Sequence, residues 1–242
     1  MLSQELLNTI LPVAQFHGLS LAATDPARLA DFWRTALAGK LADDEHGLRI
    51  TPSPHRPARE ILRLRPAAAP PPDGARVHLD LRLPGAEPTD LLAAGAVIVR
   101  PPGPDPWYVL ADPEGNEFCA FPAVDDRPAG IFELVVKCRD PYPLARWWAL
   151  VIGGVVESEG QSAAVVGAPD FPWDYLVFDP VPESKVVANR LQWHVILRDR
   201  EPSELLTAGA KIITRPGAGR RSWLLADPEG NEFHAANEEF ST

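Results

Sequence analysis

The string Leu-Ala-Asp-Pro-Glu-Gly-Asn-Glu-Phe occurs twice in this chain, at Leu110–Phe118 and at Leu225–Phe233, 115 residues apart. An exact repeat of nine residues marks a tandem duplication of a unit about half as long as the chain. The agreement extends beyond the string. Asp25-Pro26 with Leu29, Ala30, Phe32 and Trp33 matches Asp140-Pro141 with Leu144, Ala145, Trp147 and Trp148. Arg76–Leu81 matches Arg190–Val195, and Leu91–Gly103 matches Leu205–Gly217. The offset shifts by one residue only in loops, where insertions are tolerated. Solenoid repeats run about 20–50 residues, so a period this long is a duplicated domain.

Composition bounds the class. The 242 residues suit two domains of about 100–150 residues each. The apolar share of 45% is that of ordinary globular protein. A net charge of −10 argues against a nucleic-acid backbone or an anionic membrane surface as partner. No run of eighteen apolar residues and no secretory leader pattern is present, so the expectation is a cytoplasmic protein without a membrane span. Cys119 and Cys138 do not make a disulfide framework, which agrees with a reducing compartment. Many of the 27 prolines sit in loops such as 67–72 and 101–106 and read as rigid connectors.

Residues 1–16 carry Leu2, Leu6, Leu7, Ile10 and Leu11 at helical spacing, ended near Pro12. They have no counterpart before Ile131. They are expected to form an N-terminal helical extension that covers an edge or makes a dimer contact. Domain 1 then spans residues 17–123, a linker rich in Asp, Pro and Gly spans 124–130, and domain 2 spans 131–237. In the first half, a strand at 19–23 leads into a helix begun by Asp25-Pro26, a good N-cap followed by a good first helical residue. Weak strands near 40–50 and 60–65 follow. An alternating strand at 77–83, a short helix at 89–94 and strands at 97–100, 107–111 and 117–121 complete the half. The second half repeats this order. Each half therefore reads as strand, helix, three strands, twice over. The repeated Asp-Pro-Glu-Gly-Asn is a turn: Asp closes an Asx-turn, Pro presets φ, and Gly or Asn accepts positive φ. Turn chemistry explains these residues without a ligand.

The pattern Asp-Pro-x-x-Leu-Ala-x-Phe-Trp, then His78-Leu-Asp-Leu81, then Gly95-Ala96, then Leu110–Phe118 resembles the glyoxalase/bleomycin resistance/dioxygenase family, the vicinal oxygen chelate superfamily. The resemblance covers about residues 17–123 and 131–237. It implies an α+β fold of tandem glyoxalase-like domains, each made of two βαβββ units that form a curved mixed sheet around a cavity. Relatives include metal-dependent isomerases, lyases, dioxygenases and thiol transferases as well as metal-free drug-binding proteins, so fold alone does not give the reaction.

Metal-using relatives place ligands on the first and last strands of each unit. Carried onto the first half, those positions give Gly18, about Arg63, His78 and Cys119. Gly has no donor atom and Arg is a cation, so no metal is expected in domain 1. The second half gives Glu133, Asp179, Gln192 and His234, a set that suits Zn, Mn, Fe or Ni. With metal bound, the resemblance implies Lewis-acid catalysis in which Glu133 or Asp179 moves a proton. Without metal, the cavity is an apolar cup. Its wall candidates are Trp173, Tyr175, Trp193 and Trp223, with His194 on the face of Gln192 and His78 in the other half. Trp107 and Tyr108 are the first-half counterparts, while Trp33, Trp147 and Trp148 read as core. Two functions compete: binding of a small organic molecule, mainly in domain 2 and of the drug-resistance type, and a metal-dependent lyase, isomerase or dioxygenase. Fused domains imitate a paired dimer, so monomer and homodimer both stay open. The partner expected is a small-molecule ligand, with neither nucleic acid nor membrane.

Overall fold

The computed structural model describes residues 11–44, 47–69, 76–217 and 222–237. Sixteen strands run through them in chain order: β1 (Ala14–Ala23), β2 (Lys40–Asp44), β3 (Gly47–Thr51), β4 (Leu62–Pro66), β5 (Val77–Arg82), β6 (Val97–Arg100), β7 (Tyr108–Ala111), β8 (Glu117–Phe121), β9 (Gly130–Cys138), β10 (Val155–Glu159), β11 (Ser162–Val166), β12 (Tyr175–Pro180), β13 (Leu191–Leu197), β14 (Lys211–Thr214), β15 (Trp223–Ala226) and β16 (Glu232–Ala236). Four described helices, α1 (Pro26–Ala36), α2 (Thr89–Ala93), α3 (Pro141–Ile152) and α4 (Ser203–Thr207), each follow the first strand of a βαβββ unit. The α+β class and the four units are as the sequence implied. No described helix is long and apolar enough to cross a membrane.

The strands form two eight-stranded mixed sheets, ordered β14-β15-β16-β13-β1-β4-β3-β2 and β10-β11-β12-β9-β5-β8-β7-β6. Each sheet joins two units through their first strands, which run antiparallel, β1 with β13 and β5 with β9. The pairing crosses the duplication. The first unit of the first half joins the last unit of the second half, and the two middle units join each other.

Local chemistry explains the elements. Asp25 caps α1 by accepting from the Arg28 N–H at 3.1 Å, and Pro26 follows it. Leu29, Ala30, Phe32 and Trp33 then turn to the core. Gly153, at φ 83°, ends α3 in a conformation that costs other residues strain. Strand alternation sends one side chain set beneath the helices. In β13, Leu191, Trp193 and Val195 are buried in the core, while Gln192 and His194 point to the other face. The core is aromatic at its centre: Trp148 packs on Trp193 at 5.0 Å and on Phe233 at 5.1 Å, edge to face.

β1 starts at Ala14, so residues 14–16 are strand and not part of a helical extension. Ala14 and Phe16 are fully buried, and Phe16 packs against Phe171 and Trp173, which holds this end in the sheet. The helical spacing at residues 2–10 lies outside the described residues.

The repeated turn has a second task. Asp112 accepts from the backbone N–H groups of Glu114 (2.9 Å) and Asn116 (3.0 Å), and its other oxygen accepts from the Trp33 indole at 3.0 Å. Asp227 repeats this with Glu229, Asn231 and Trp148. Glu114 accepts from the N–H groups of Thr24 and Asp25 at the start of α1, and Glu229 does the same at Arg139 and Asp140 before α3. Trp33 belongs to the unit of one sheet and Asp112 to the unit of the other. The repeated string is therefore a clasp between the sheets. Burial pushes the Asp227 carboxyl up to about 6 despite its hydrogen bonds.

Candidate functional site

The faces of the two sheets turned away from the helices carry different chemistry. On the β5/β9 sheet, His78 and Asp80 share a face because they lie two residues apart. The register sets Asp80 opposite both Cys119 and Glu133. His78 Nε2 stands 3.3 Å from Asp80 Oδ1. The ligand atoms of His78, Asp80 and Cys119 lie within 4.8 Å of one another. Burial, reinforced by the charge of Asp80 and a hydrogen bond to it, pushes the Glu133 carboxyl up to about 8. Burial and Asp80 likewise push the Cys119 thiol up. Asp80 is thus the hub of the group.

Beside this polar floor stands an aromatic wall. The pairing of β5 and β9 slips between Asp80 and Leu81, and Phe132 sits at the slip. Phe132 meets Phe121 edge to face at 5.1 Å, and Phe121 stacks on Trp107 at 4.9 Å. The Arg82 guanidinium covers Phe132 at 4.4 Å and donates to the Pro128 carbonyl. Tyr175, exposed at the rim, is level with Glu133 on β12. Asp179 is level with Lys137 instead, four residues and so roughly 13 Å further along the strand. It accepts from the Ser162 hydroxyl at 2.7 Å.

On the β1/β13 sheet, Gly18 is level with His194 and His194 with His234. The two imidazoles stack with centroids 4.6 Å apart and planes at 8°. His234 Nε2 lies 3.2 Å from Gln192 Oε1, and Gln192 Nε2 donates to the Asn189 carbonyl. Burial, then the neighbouring His234, His17, Arg63 and Arg65, holds His194 well below the ordinary imidazole range. Ser20 is level with Gln192 on one side and with Arg63 on the other. Arg63 and Arg49 both reach Asp44, at 3.3 and 3.1 Å.

The residues aligned from the sequence as a metal set thus separate. Glu133 and Asp179 lie on one sheet, Gln192 and His234 on the other, and the crossed pairing of the units is the cause. The group that does come together is His78, Asp80, Cys119 and Glu133, drawn from both halves. Its donors, an imidazole, a thiol and two carboxyls, fit a divalent ion such as zinc with ligands at about 2.0–2.3 Å. The β1/β13 face does not fit one, since Gly18 and the guanidiniums take the other two positions. Asp80, two residues beyond His78, is the first-half counterpart of the pocket candidate His194; its place between Cys119 and Glu133 comes from the strand pairing.

Trp193 is only 2% exposed and points into the core, because odd and even residues of β13 face opposite ways. Trp223 lies level with the fully buried Ala235 and shares that core side. Trp173 is buried between Phe16 and Phe171, and its indole donates to Glu60 at 2.8 Å. His78, His194 and Tyr175 are on the open faces.

The family pattern of the glyoxalase-like domain matches residues 18–121 and again residues 133–236. No curated protein matches the chain. Among solved structures, glyoxalase I from Zea mays superposes with a TM-score of 0.65 at 14% identity, covering 94% of each chain. Two mutants of the maize protein superpose at 0.64, with 14% and 15% identity over 94% of this chain and 94% and 95% of theirs. At this identity the likeness is one of fold. The two family matches cover most of the sequence and coincide with the four units seen in the sheets, so the chain belongs to the glyoxalase-like domain family of the vicinal oxygen chelate superfamily, with two copies in tandem.

Proposed function

We propose that the protein binds a small organic molecule on the open face of the β5/β9 sheet. The observation that carries this reading is the aromatic wall of Trp107, Phe121 and Phe132 standing beside the polar group of His78, Asp80, Cys119 and Glu133. Such a combination of apolar walls and a few convergent polar groups is how small-molecule sites are built. A ring or unsaturated part of the ligand lies against the aromatics. Its hydroxyl or carbonyl oxygens meet the polar floor. The Glu133 O–H is shared with Asp80, and the remaining carboxyl oxygens of the pair accept from a ligand hydroxyl. The site draws on both halves of the chain, which refines the expectation of a site mainly in the second domain. The fused units supply the pairing within one chain, so a monomer suffices.

A second reading, a metal-dependent lyase, isomerase or dioxygenase, is favoured by the closeness of the His78, Asp80 and Cys119 donor atoms. In that reading these three and Glu133 hold the ion, and Glu133 rather than Asp179 handles the proton. A bound divalent ion would supply Lewis-acid polarisation of substrate oxygens.

The test is a ligand screen followed by tryptophan fluorescence and calorimetry on the wild type, Trp107→Ala and Glu133→Gln. Binding that weakens at least tenfold in both variants supports the assignment. A ligand indifferent to both substitutions places its site elsewhere. Metal content of protein purified without chelator separates the second reading from the first.

A further inference from the structure

We propose that the open face of the β1/β13 sheet is a separate binding site, and that it takes the oxyanion end of a small molecule, a carboxylate or a phosphate. Three guanidiniums converge there. Arg63 and Arg65 lie two residues apart on β4 and share a face, and Arg49 on β3 is level with Arg63. Among the described residues, Asp44 alone pairs with them by salt bridge, and it is divided between Arg49 and Arg63. Arg65 donates only to neutral oxygens, the Ser20 hydroxyl and the Arg190 carbonyl, each at 3.3 Å. Glu232, further along the face, is taken by Lys185 and by the Asn189 N–H. A chain of net charge −10 therefore gathers an excess of positive charge on this one surface.

The surroundings suit an oxyanion. Ser20, Gln192 and the His194–His234 pair place hydrogen-bonding groups in the rows next to the arginines. The planar fork of arginine matches the two oxygens of a carboxylate or phosphate. A small cleft of about 10 Å³ already opens between His17, Gly18, Arg49, Arg63 and His194. Gly18 contributes no side chain to it. The partly buried Arg65 guanidinium is held below its ordinary range by burial and by Arg190, against the charge of Glu232, and a bound anion would add a second opposing charge. The site shares no residue with the β5/β9 face, so it stands or falls independently of the function proposed above.

Isothermal titration of the full chain with inorganic phosphate, and separately with malonate, at constant ionic strength tests this. The expected result is saturable binding of one anion per chain for at least one probe, weakened at least tenfold in Arg65→Gln and in Arg63→Gln. The stronger probe identifies the group recognised. Glu133→Gln and Trp107→Ala leave it unchanged. Arg63 also holds Asp44, so Arg65→Gln, which loses only neutral hydrogen-bond acceptors, is the decisive variant. Absence of saturation with both probes overturns the proposal, as does binding that Arg65→Gln leaves intact or that Glu133→Gln abolishes.

Discussion

The two open faces of this molecule are built on the same scaffold and hold opposite chemistry. Each lies across an antiparallel pair of first strands, β5 with β9 and β1 with β13. On one, Asp80, Glu133 and Cys119 crowd around His78, and burial and the charge of Asp80 hold protons on Glu133 and Cys119. On the other, Arg49, Arg63 and Arg65 surround a stacked imidazole pair, and burial takes protons away from His194. The same desolvation thus acts with opposite sign, because it always penalises the charged form. The lesson is that the duplicated fold fixes where side chains stand and leaves open what they are.

The largest effects should be those the faces share. Asp112→Ala and Asp227→Ala each remove a buried carboxylate that holds a turn and a tryptophan indole. Each should cost about 3 kcal/mol or more in urea unfolding. Similar losses show that the two clasps are equivalent; a negligible loss from either would break the symmetry.

Next comes metal. On the metal-dependent reading, added Zn²⁺ at a hundredfold excess over its dissociation constant should stabilise the chelator-treated wild type by about 2.7 kcal/mol. Asp80→Asn and Cys119→Ser should abolish this, and EDTA should reverse it. Gln192→Ala and His234→Ala should not matter. Stabilisation that depends on His234 would move the site to the other face.

The pH profiles should then run in opposite directions. Glu133 titrates at about 8 in the folded state against an ordinary 4.5. Between those values the folded state holds the extra proton, so stability is full below about pH 4.5 and falls as pH rises to about 8. Glu133→Gln should flatten this slope in thermal unfolding of metal-free protein; an unchanged slope removes the proton from Glu133. His194 contributes the opposite slope. Its folded value lies below the ordinary 6.5, so the unfolded state binds the proton first and stability falls as pH drops below about 6.5. His194→Gln should reduce that acid-side loss without touching the alkaline one.

Much of this was legible in the residues. The doubled nine-residue string gave the duplication, the order of elements and the turn, and Asp-Pro marked both long helices. Period two put His194 on the face of Gln192, where the structure has both beside His234. The same rule applied to Trp193 would have sent it to the core, where it lies. What the string did not disclose was its service as a clasp, though Trp33 and Asp112 recur at the same spacing as Trp148 and Asp227.

The sequence by itself determined the duplication and the order of elements, because periodicity and turn chemistry are local, and its motifs carried the resemblance that implied the α+β class. Only the tertiary structure decided which units share a sheet. Period two tells which way a side chain points, not which strand lies beside it. That neighbour comes from long-range pairing. For this reason Glu133 meets Asp80 and Cys119 of the other half, while Gln192 and His234 face arginines that lie more than a hundred residues away in the chain.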